Sequence, residues 1–298
     1  MDAADLKFFE AVARTGGINR AAAELNTVQS NVTARIRHLE DELGTPLFHR
    51  HSRGVTLTPA GQRLLPYAVR AARLFEEARN AALDDGTPKG PLAIGSLETT
   101  AALRLAPTLS RFAQSHTEVD MMLKTGTTAE LVDLVLDRRL EGAFVCGPVN
   151  HPELAEEVVF REELVVVTAP TVPSLQDVLA AREVKSVVLR LGCSYRQRLE
   201  AVFAARGIVG LRWLEFGTID GIVACVAAGI GVSMLPRALL EPAAREGRVA
   251  LHELPGEEAM VDTVFVRRRD GFESSALRAF LDLARAGAKA GSRIRAAE

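Results

Sequence analysis

Apolar residues first recur at helical spacing in residues 18–43. Ala21, Ala22 and Leu25 fall on one face of a helix that starts near Ile18, and their small side chains let a second helix cross closely. Asn26 and Thr27 break the pattern. Both side chains can bond the backbone, which suits a turn or an N-cap. Val32, Ile36, Leu39 and Leu43 then mark the buried stripe of a helix over residues 28–43, and Gly44 closes it where left-handed backbone is expected. Leu47 and Phe48 return to the core. The basic tip from Arg50 to Arg53, followed by Gly54, predicts a two-stranded wing.

A long helix should follow, with Thr58 as N-cap and Pro59 at its first position. Leu65, Ala68, Ala72, Phe75 and Ala82 fall on alternating threes and fours, interrupted at Arg79, as in a coiled-coil seam. A helix that outruns a small N-terminal unit needs another partner, so a homodimer through this helix is expected. Pro66 should bend its first turns, and it should stop near Asp84. Residues 85–91 (Asp-Gly-Thr-Pro-Lys-Gly-Pro) form the clearest linker in the chain. Beyond it, strands at 92–97, 119–124 and 142–146 alternate with helices at 100–114 and 128–137. A second such set has strands at 186–190, 211–216 and 230–234 with helices at 194–206 and 219–228. A late strand at 261–267 and a helix at 275–286 close the pattern, and the basic end after Gly287 should fray. This alternation implies parallel sheets flanked by helices, in two α/β lobes joined by crossing strands.

The polar face of the helix at 28–43 carries the chemistry. Gln29, Ser30, Asn31 and Thr33 can reach base edges: Gln and Asn pair bidentately with adenine, while hydroxyls accept or donate. Arg35 and Arg37 suit phosphates, which fix register without reading sequence. Arg53, at the wing tip, is a candidate for the minor groove or a phosphate. An isolated helix with two arginines would be an ordinary solvated face; the full run of residues points further. Ala21, Ala22, Leu25, Gln29, Val32, Ile36, Leu39, Glu40, Leu43, Gly44, Leu47, Phe48, Arg50, Leu57, Thr58, Ala60 and Gly61 resemble the N-terminal signature of the LysR-type transcriptional regulators. Many members have Ser before the Gln and Pro after it; here those places hold Val28 and Ser30, and Thr33 replaces a common Ser. Thr27 is the candidate to cap the helix in place of the missing Ser.

The resemblance covers the whole chain. It implies an α/β protein: an N-terminal winged helix-turn-helix plus long linker helix, then a two-lobed effector domain like a periplasmic binding protein. The expected organisation is a DNA-binding domain at 1–58, a dimerisation helix and hinge at 59–90, and an effector domain at 91–298. One lobe would comprise 91–165 and 266–298, the other 166–265. The implied partners are double-stranded DNA at an interrupted palindrome and a small-molecule effector. The family's common tetramer is implied as well.

Several polar runs at predicted strand ends open helices. Ser96, Glu98, Thr99 and Thr100 form the first, and Thr125, Thr127 and Thr128 the second. Cys193, Ser194 and Arg196 form the third, and Thr218 lies in a fourth. Each run alone reads as simple capping; converging on one cleft, they make an effector site that suits a carboxylate. An inward Glu98 would repel a second carboxylate, and an inward Arg196 beside it would favour a zwitterion or hydroxy acid. Both could equally face solvent. The Gly-Ser-Leu-Glu-Thr-Thr and Gly-Cys-Ser-Tyr-Arg stretches resemble those of the LysR subgroup typified by the glutamate-synthase regulator. That suggests a small carboxylate or amino acid as effector.

Composition narrows the alternatives. The chain has 298 residues, 48% hydrophobic and 25% charged, with a net charge of −2. That is ordinary for a globular protein and argues against a non-specific nucleic-acid coat. No apolar run approaches a membrane span, and the acidic, amphipathic start is unlike a signal peptide, so a cytoplasmic location is expected. Cys146, Cys193 and Cys225 show no metal-ligand spacing, so no metal or cofactor is expected. Cys193 is read as packed or pocket-lining ahead of a redox role. The six histidines are scattered, and there is no nucleophile–base constellation, P-loop or dinucleotide fingerprint, which argues against an enzyme.

Overall fold

Helix caps and left-handed residues punctuate the N-terminal unit. The computed structural model describes residues 1–51, 54–180, 184–189, 192–208 and 210–295. Asp2 starts α1 (Ala3–Thr15) with a reciprocal box: its carboxylate accepts from Asp5 N, and the Asp5 carboxylate accepts from Asp2 N. Gly16, at φ 66°, ends it. α2 (Ile18–Glu24) leads to Asn26, whose φ of 51° makes the turn. α3 (Gln29–Leu43) ends at Gly44, also at φ 66°. β1 (Phe48–His51) and β2 (Gly54–Leu57) pair antiparallel as the wing. Glu40 pins that wing, accepting from the backbone N–H of Leu47 at 2.8 Å and of Phe48 at 3.2 Å. Phe9, Val12, Ala21, Val32, Ile36, Leu39 and Leu47 fill the core.

α4 (Pro59–Leu83) starts as expected. The Thr58 hydroxyl accepts from Gly61 N at 3.1 Å and donates to Pro46 O at 2.7 Å. Its expected seam divides in two, however. Ala68 is fully buried in this unit's own core, and Leu64 and Leu65 pack against that core. Ala72 is half-buried and Phe75 and Ala82 are exposed, as are Tyr67, Leu74 and Leu83 off that seam. The first turns belong to the unit that carries them because α1 lies alongside.

The chain divides into compact units at Met1–Asp84 and Asp85–Glu298. In the second, β3 (Gly90–Ser96) leads into α5 (Glu98–Thr100), which continues through a π-helical stretch (Ala101–Leu105) into α6 (Ala106–Ser115). Pro107, with no N–H to give, is the second residue of α6, just past the π-helical stretch. β4 (Val119–Thr125), α7 (Thr128–Leu136), β5 (Gly142–Cys146) and β6 (Leu154–Thr168) come next. The second lobe holds α8 (Leu175–Leu179), β7 (Lys185–Leu189), α9 (Ser194–Ala204), β8 (Arg212–Phe216) and α10 (Ile219–Ala227). β9 (Ser233–Pro236), α11 (Arg237–Arg245), β10 (Ala250–His252), β11 (Met260–Arg268) and α12 (Ser275–Arg295) complete the chain.

The main sheet runs β10-β6-β11-β5-β3-β4, with β9 also on β6. β3 pairs parallel with β4 and β5, and β7 with β8, as the alternation implied. The all-parallel expectation fails elsewhere: β11 is antiparallel to both β5 and β6, and β9 and β10 are antiparallel to β6. β6 carries the chain from one lobe to the other and β11 brings it back, so their directions must oppose. Leu92, Ile94, Phe112, Phe144, Phe265 and Phe280 fill one face of the sheet beneath α6 and α12. A second core continues from the other face into the second lobe, through Leu131, Val145, Val187, Leu199, Phe203 and Ile222. α12 keeps its helical backbone past Gly287 to Arg295, where fraying was expected. No helix among the described residues is long and apolar enough to cross a membrane.

Candidate functional site

The first turn of α3 presents an exposed polar edge. Gln29, Ser30 and Asn31 are exposed, Thr33 is half-buried and Arg37 is exposed. Val28 occupies the N-cap, and no side chain bonds the helix start. Thr27 therefore does not cap α3; its hydroxyl instead accepts from the Asn31 amide at 3.0 Å. Arg35 also departs from expectation. Its guanidinium turns back to α1, 3.0 Å from Asp5 and 3.3 Å from Asp2, because Asp5 lies buried beside it and needs a cation. These bonds raise the Arg35 pKa, and that of Asp2 is lowered, first by the Asp5 backbone N–H and then by Arg35. Arg50 lies 3.5 Å from Glu40 on the exposed wing. Arg53 lies outside the described residues. Asp5, His38 and Glu42 bring one potential metal-ligand atom each within 4.8 Å of one another. Asp5 is already held by Arg35 and the Asp2 backbone N–H, and Glu42 by the N-terminal amine of Met1.

In the second unit a cavity open to solvent lies between the lobes. Glu98, Thr99, Thr125, Thr127, Cys193 and Ser194 line it, as do Leu97, Gly126, Cys146, Leu189, Tyr195 and Gly217. The Thr127 hydroxyl accepts from Glu130 N at 3.3 Å while Glu130 accepts from Thr127 N at 2.9 Å, so α7 starts with a reciprocal box. The lobes bond each other across the cavity. Ser194 donates to the Thr128 hydroxyl at 3.1 Å, and the Thr99 and Tyr195 hydroxyls meet at 3.3 Å. Thr128 also accepts from Cys146 N at 3.3 Å.

Other expected residues lie off the lining. The buried Ser96 hydroxyl donates to Leu97 O at 2.9 Å, and Thr100 is buried. Thr218 caps α10 by accepting from Gly221 N at 3.2 Å. Arg196 stacks on Trp213, 4.3 Å from the ring centroid, with Glu200 at 3.4 Å and Glu215 at 3.9 Å. It faces a smaller hollow of about 210 Å³ instead. The indole and two carboxylates outcompete the cleft for its guanidinium.

Burial raises the Cys193 thiol pKa despite the Arg196 and Tyr195 backbone N–H groups beside it, and it also raises that of Cys146. Burial raises Tyr195 as well. Both thiols and the phenol are therefore neutral at physiological pH, and the thiols are poor nucleophiles. Glu98 is the one charged side chain among the described lining residues. Cys146 escaped the sequence reading as a lining residue, whereas Tyr195 lies within the Gly-Cys-Ser-Tyr-Arg run read at the start of α9. Cys146 ends a fully buried strand, and Tyr195 sits one residue into a helix, positions that signal packing first.

An exposed reading helix with a wing, and a cavity between α/β lobes, define a DNA-binding protein with a separate ligand-binding domain. Residues 3–62 match the family model described as bacterial regulatory helix-turn-helix protein, lysR family, and residues 85–289 match the LysR substrate binding domain. The chain is 42% identical over 276 residues to the HTH-type transcriptional regulator GltR of Bacillus subtilis (strain 168), covering 93% of each chain. It is 44% identical over 282 residues to YusT, an uncharacterized HTH-type transcriptional regulator of the same organism, covering 95% of each. Among solved structures it is similar to ArgP from Mycobacterium tuberculosis, with a TM-score of 0.68 at 21% identity and 97% of each chain covered. It is similar also to full-length CbnR complexed with its target DNA, with a TM-score of 0.64 at 24% identity, covering 96% of this chain and 100% of that one. The last two likenesses bear on the fold alone. The chain belongs to the LysR family: it is a DNA-binding transcriptional regulator with a substrate-binding domain, and not an enzyme.

Proposed function

We propose that the effector is a small amino acid or carboxylate held in the cavity between the lobes, and that its binding changes operator affinity. The carrying observation is the lining: one carboxylate, Glu98, opposite the starts of α7 and α9. The start of α9, whose N-cap makes no side-chain bond, and the Thr127 hydroxyl proton suit a carboxylate, while Glu98 suits an ammonium and opposes a second carboxylate. An α-amino acid satisfies both ends. On the DNA side, Gln29, Ser30, Asn31 and Thr33 would read bases, and Arg37, Arg50 and Arg53 would hold phosphates. The exposed Tyr67, Leu74, Phe75 and Leu83 of α4 support a homodimer through that helix, placing two reading helices on an interrupted palindrome in the cytoplasm. The tetramer common in the family is part of this reading.

Thermal-shift screening of the full chain with the amino acids and small carboxylates tests the effector. A true ligand at a hundred times its Kd stabilises by about 2.7 kcal/mol. Thr125→Trp, at the exposed rim of the cavity, should abolish that shift. A ligand whose shift survives in Thr125→Trp would place the site elsewhere. Phe75→Glu should reduce the mass seen by light scattering to that of one chain; an unchanged mass would contradict the α4 interface.

A further inference from the structure

The start of the reading helix carries a side chain that the fold does not use. Val28 is 64% exposed, and it neither belongs to the N-terminal core nor packs against it. It sits at the N-cap of α3, where Ser, Thr, Asp or Asn would bond a free N–H and stabilise the helix. Val28 makes no such bond. The neighbouring hydroxyl that could compensate, on Thr27, accepts from the Asn31 side chain instead. The backbone at Val28 is nevertheless fixed, since its carbonyl accepts from Asn31 N at 3.0 Å and Val32 N at 3.3 Å. An isopropyl group is thus held in place beside Gln29 and Ser30 on an otherwise polar edge.

A single exposed valine is ordinary on a protein surface. This one differs by position, because no cap bond is made there and, on the DNA contacts proposed above, on which this inference rests, the turn meets the bases. The major groove offers one apolar feature, the C5-methyl group of thymine. We propose that Val28 is a specificity residue that reads a thymine methyl in each half-site. The contact is dispersion and desolvation and involves no charge. It therefore adds discrimination without altering the number of phosphates neutralised. Gln29 beside it supplies the hydrogen-bonding half of the same reading edge, so the favoured step joins a thymine to the base that Gln29 contacts.

The full chain is first used to select duplexes from a random-sequence library. Each thymine of the selected duplex is then replaced singly by deoxyuridine, which deletes the methyl and keeps the base pairing and the phosphate. One replacement in each half-site should weaken wild-type binding about fourfold, the value of one buried methyl group. Val28→Ala and Val28→Ser should bind the thymine and deoxyuridine duplexes alike, with the slope of log affinity against log salt unchanged. Val28→Ser restores a capping hydroxyl, so its melting temperature should match or exceed wild type, which separates reading from folding. The proposal is overturned if no deoxyuridine replacement weakens the wild type, or if Val28→Ser keeps the wild-type preference for the methyl group.

Discussion

The starts of α3 and α7 are built in opposite ways. Thr127 and Glu130 close the first turn of α7 with reciprocal bonds, whereas α3 begins at Val28 with no side-chain bond at all. The units around them differ likewise. In the N-terminal unit the residues proposed to meet DNA at the start of α3, Gln29, Ser30 and Asn31, are exposed and contiguous in sequence. In the α/β unit they come from distant segments, and several also hold the lobes together: Thr99 with Tyr195, and Thr128 with Ser194. One unit separates binding from stability, and the other merges them.

Substitutions should respect that division. The largest effect is expected in the merged unit, where Arg104 holds the buried carboxylate of Glu162, its Nη2 at 2.9 Å and its Nε on the other oxygen. Arg104→Ala should cost about 3–5 kcal/mol in urea denaturation of the α/β unit by removing the paired guanidinium from that buried charge. Denaturation at the wild-type midpoint would break the comparison. In the separated unit, Gln29→Ala should remove about 1–3 kcal/mol of discrimination between operator and random duplex at an unchanged melting temperature. A loss of stability equal to the loss of discrimination would erase the distinction. Thr127→Ala should do both at once, losing about 1 kcal/mol of stability with its cap and weakening effector binding. Calorimetric unfolding and ligand titration of the same variant check the pairing.

The smallest effect is electrostatic. His252 is buried with its Nε2 2.8 Å from the Thr168 hydroxyl; burial lowers its pKa below 6.5, against a smaller opposing pull from Asp177. The folded state therefore favours the neutral ring. The stability tied to it is present above pH 6.5 and is lost as pH falls through the lower folded value. His252→Gln should flatten stability against pH in that window, measured as denaturation midpoints of the α/β unit. An unchanged slope would assign the acid sensitivity elsewhere.

The same division governs what the sequence made legible. The helix-turn-helix could be read locally because its stripe, its turn at Asn26 and its stop at Gly44 lie within a few residues of one another. Arg35 misled because its partner, Asp5, lies on another helix, and an arginine on a polar face looks the same paired or free. In the α/β unit the polar runs marked the cavity rim at Glu98, Thr125, Thr127 and Ser194. Period alone could not reveal which hydroxyls were spent on caps, as at Thr218, or that Trp213 would take Arg196. β6 stayed hidden because Glu156, Glu157, Glu162 and Glu163 break its apolar run; Glu162 turns inward, where Arg104 meets it. The antiparallel return of β11 follows from that crossing and from nothing local.

The central claim is that the interlobe cavity governs DNA reading in the same chain. Fluorescence anisotropy of the full chain on its selected duplex, with and without a ligand found by thermal shift, tests it most directly. The ligand should change the wild-type Kd for DNA by about 5- to 150-fold and leave that of Thr125→Trp unchanged. A wild-type Kd indifferent to the ligand, or an equal change in Thr125→Trp, would contradict it.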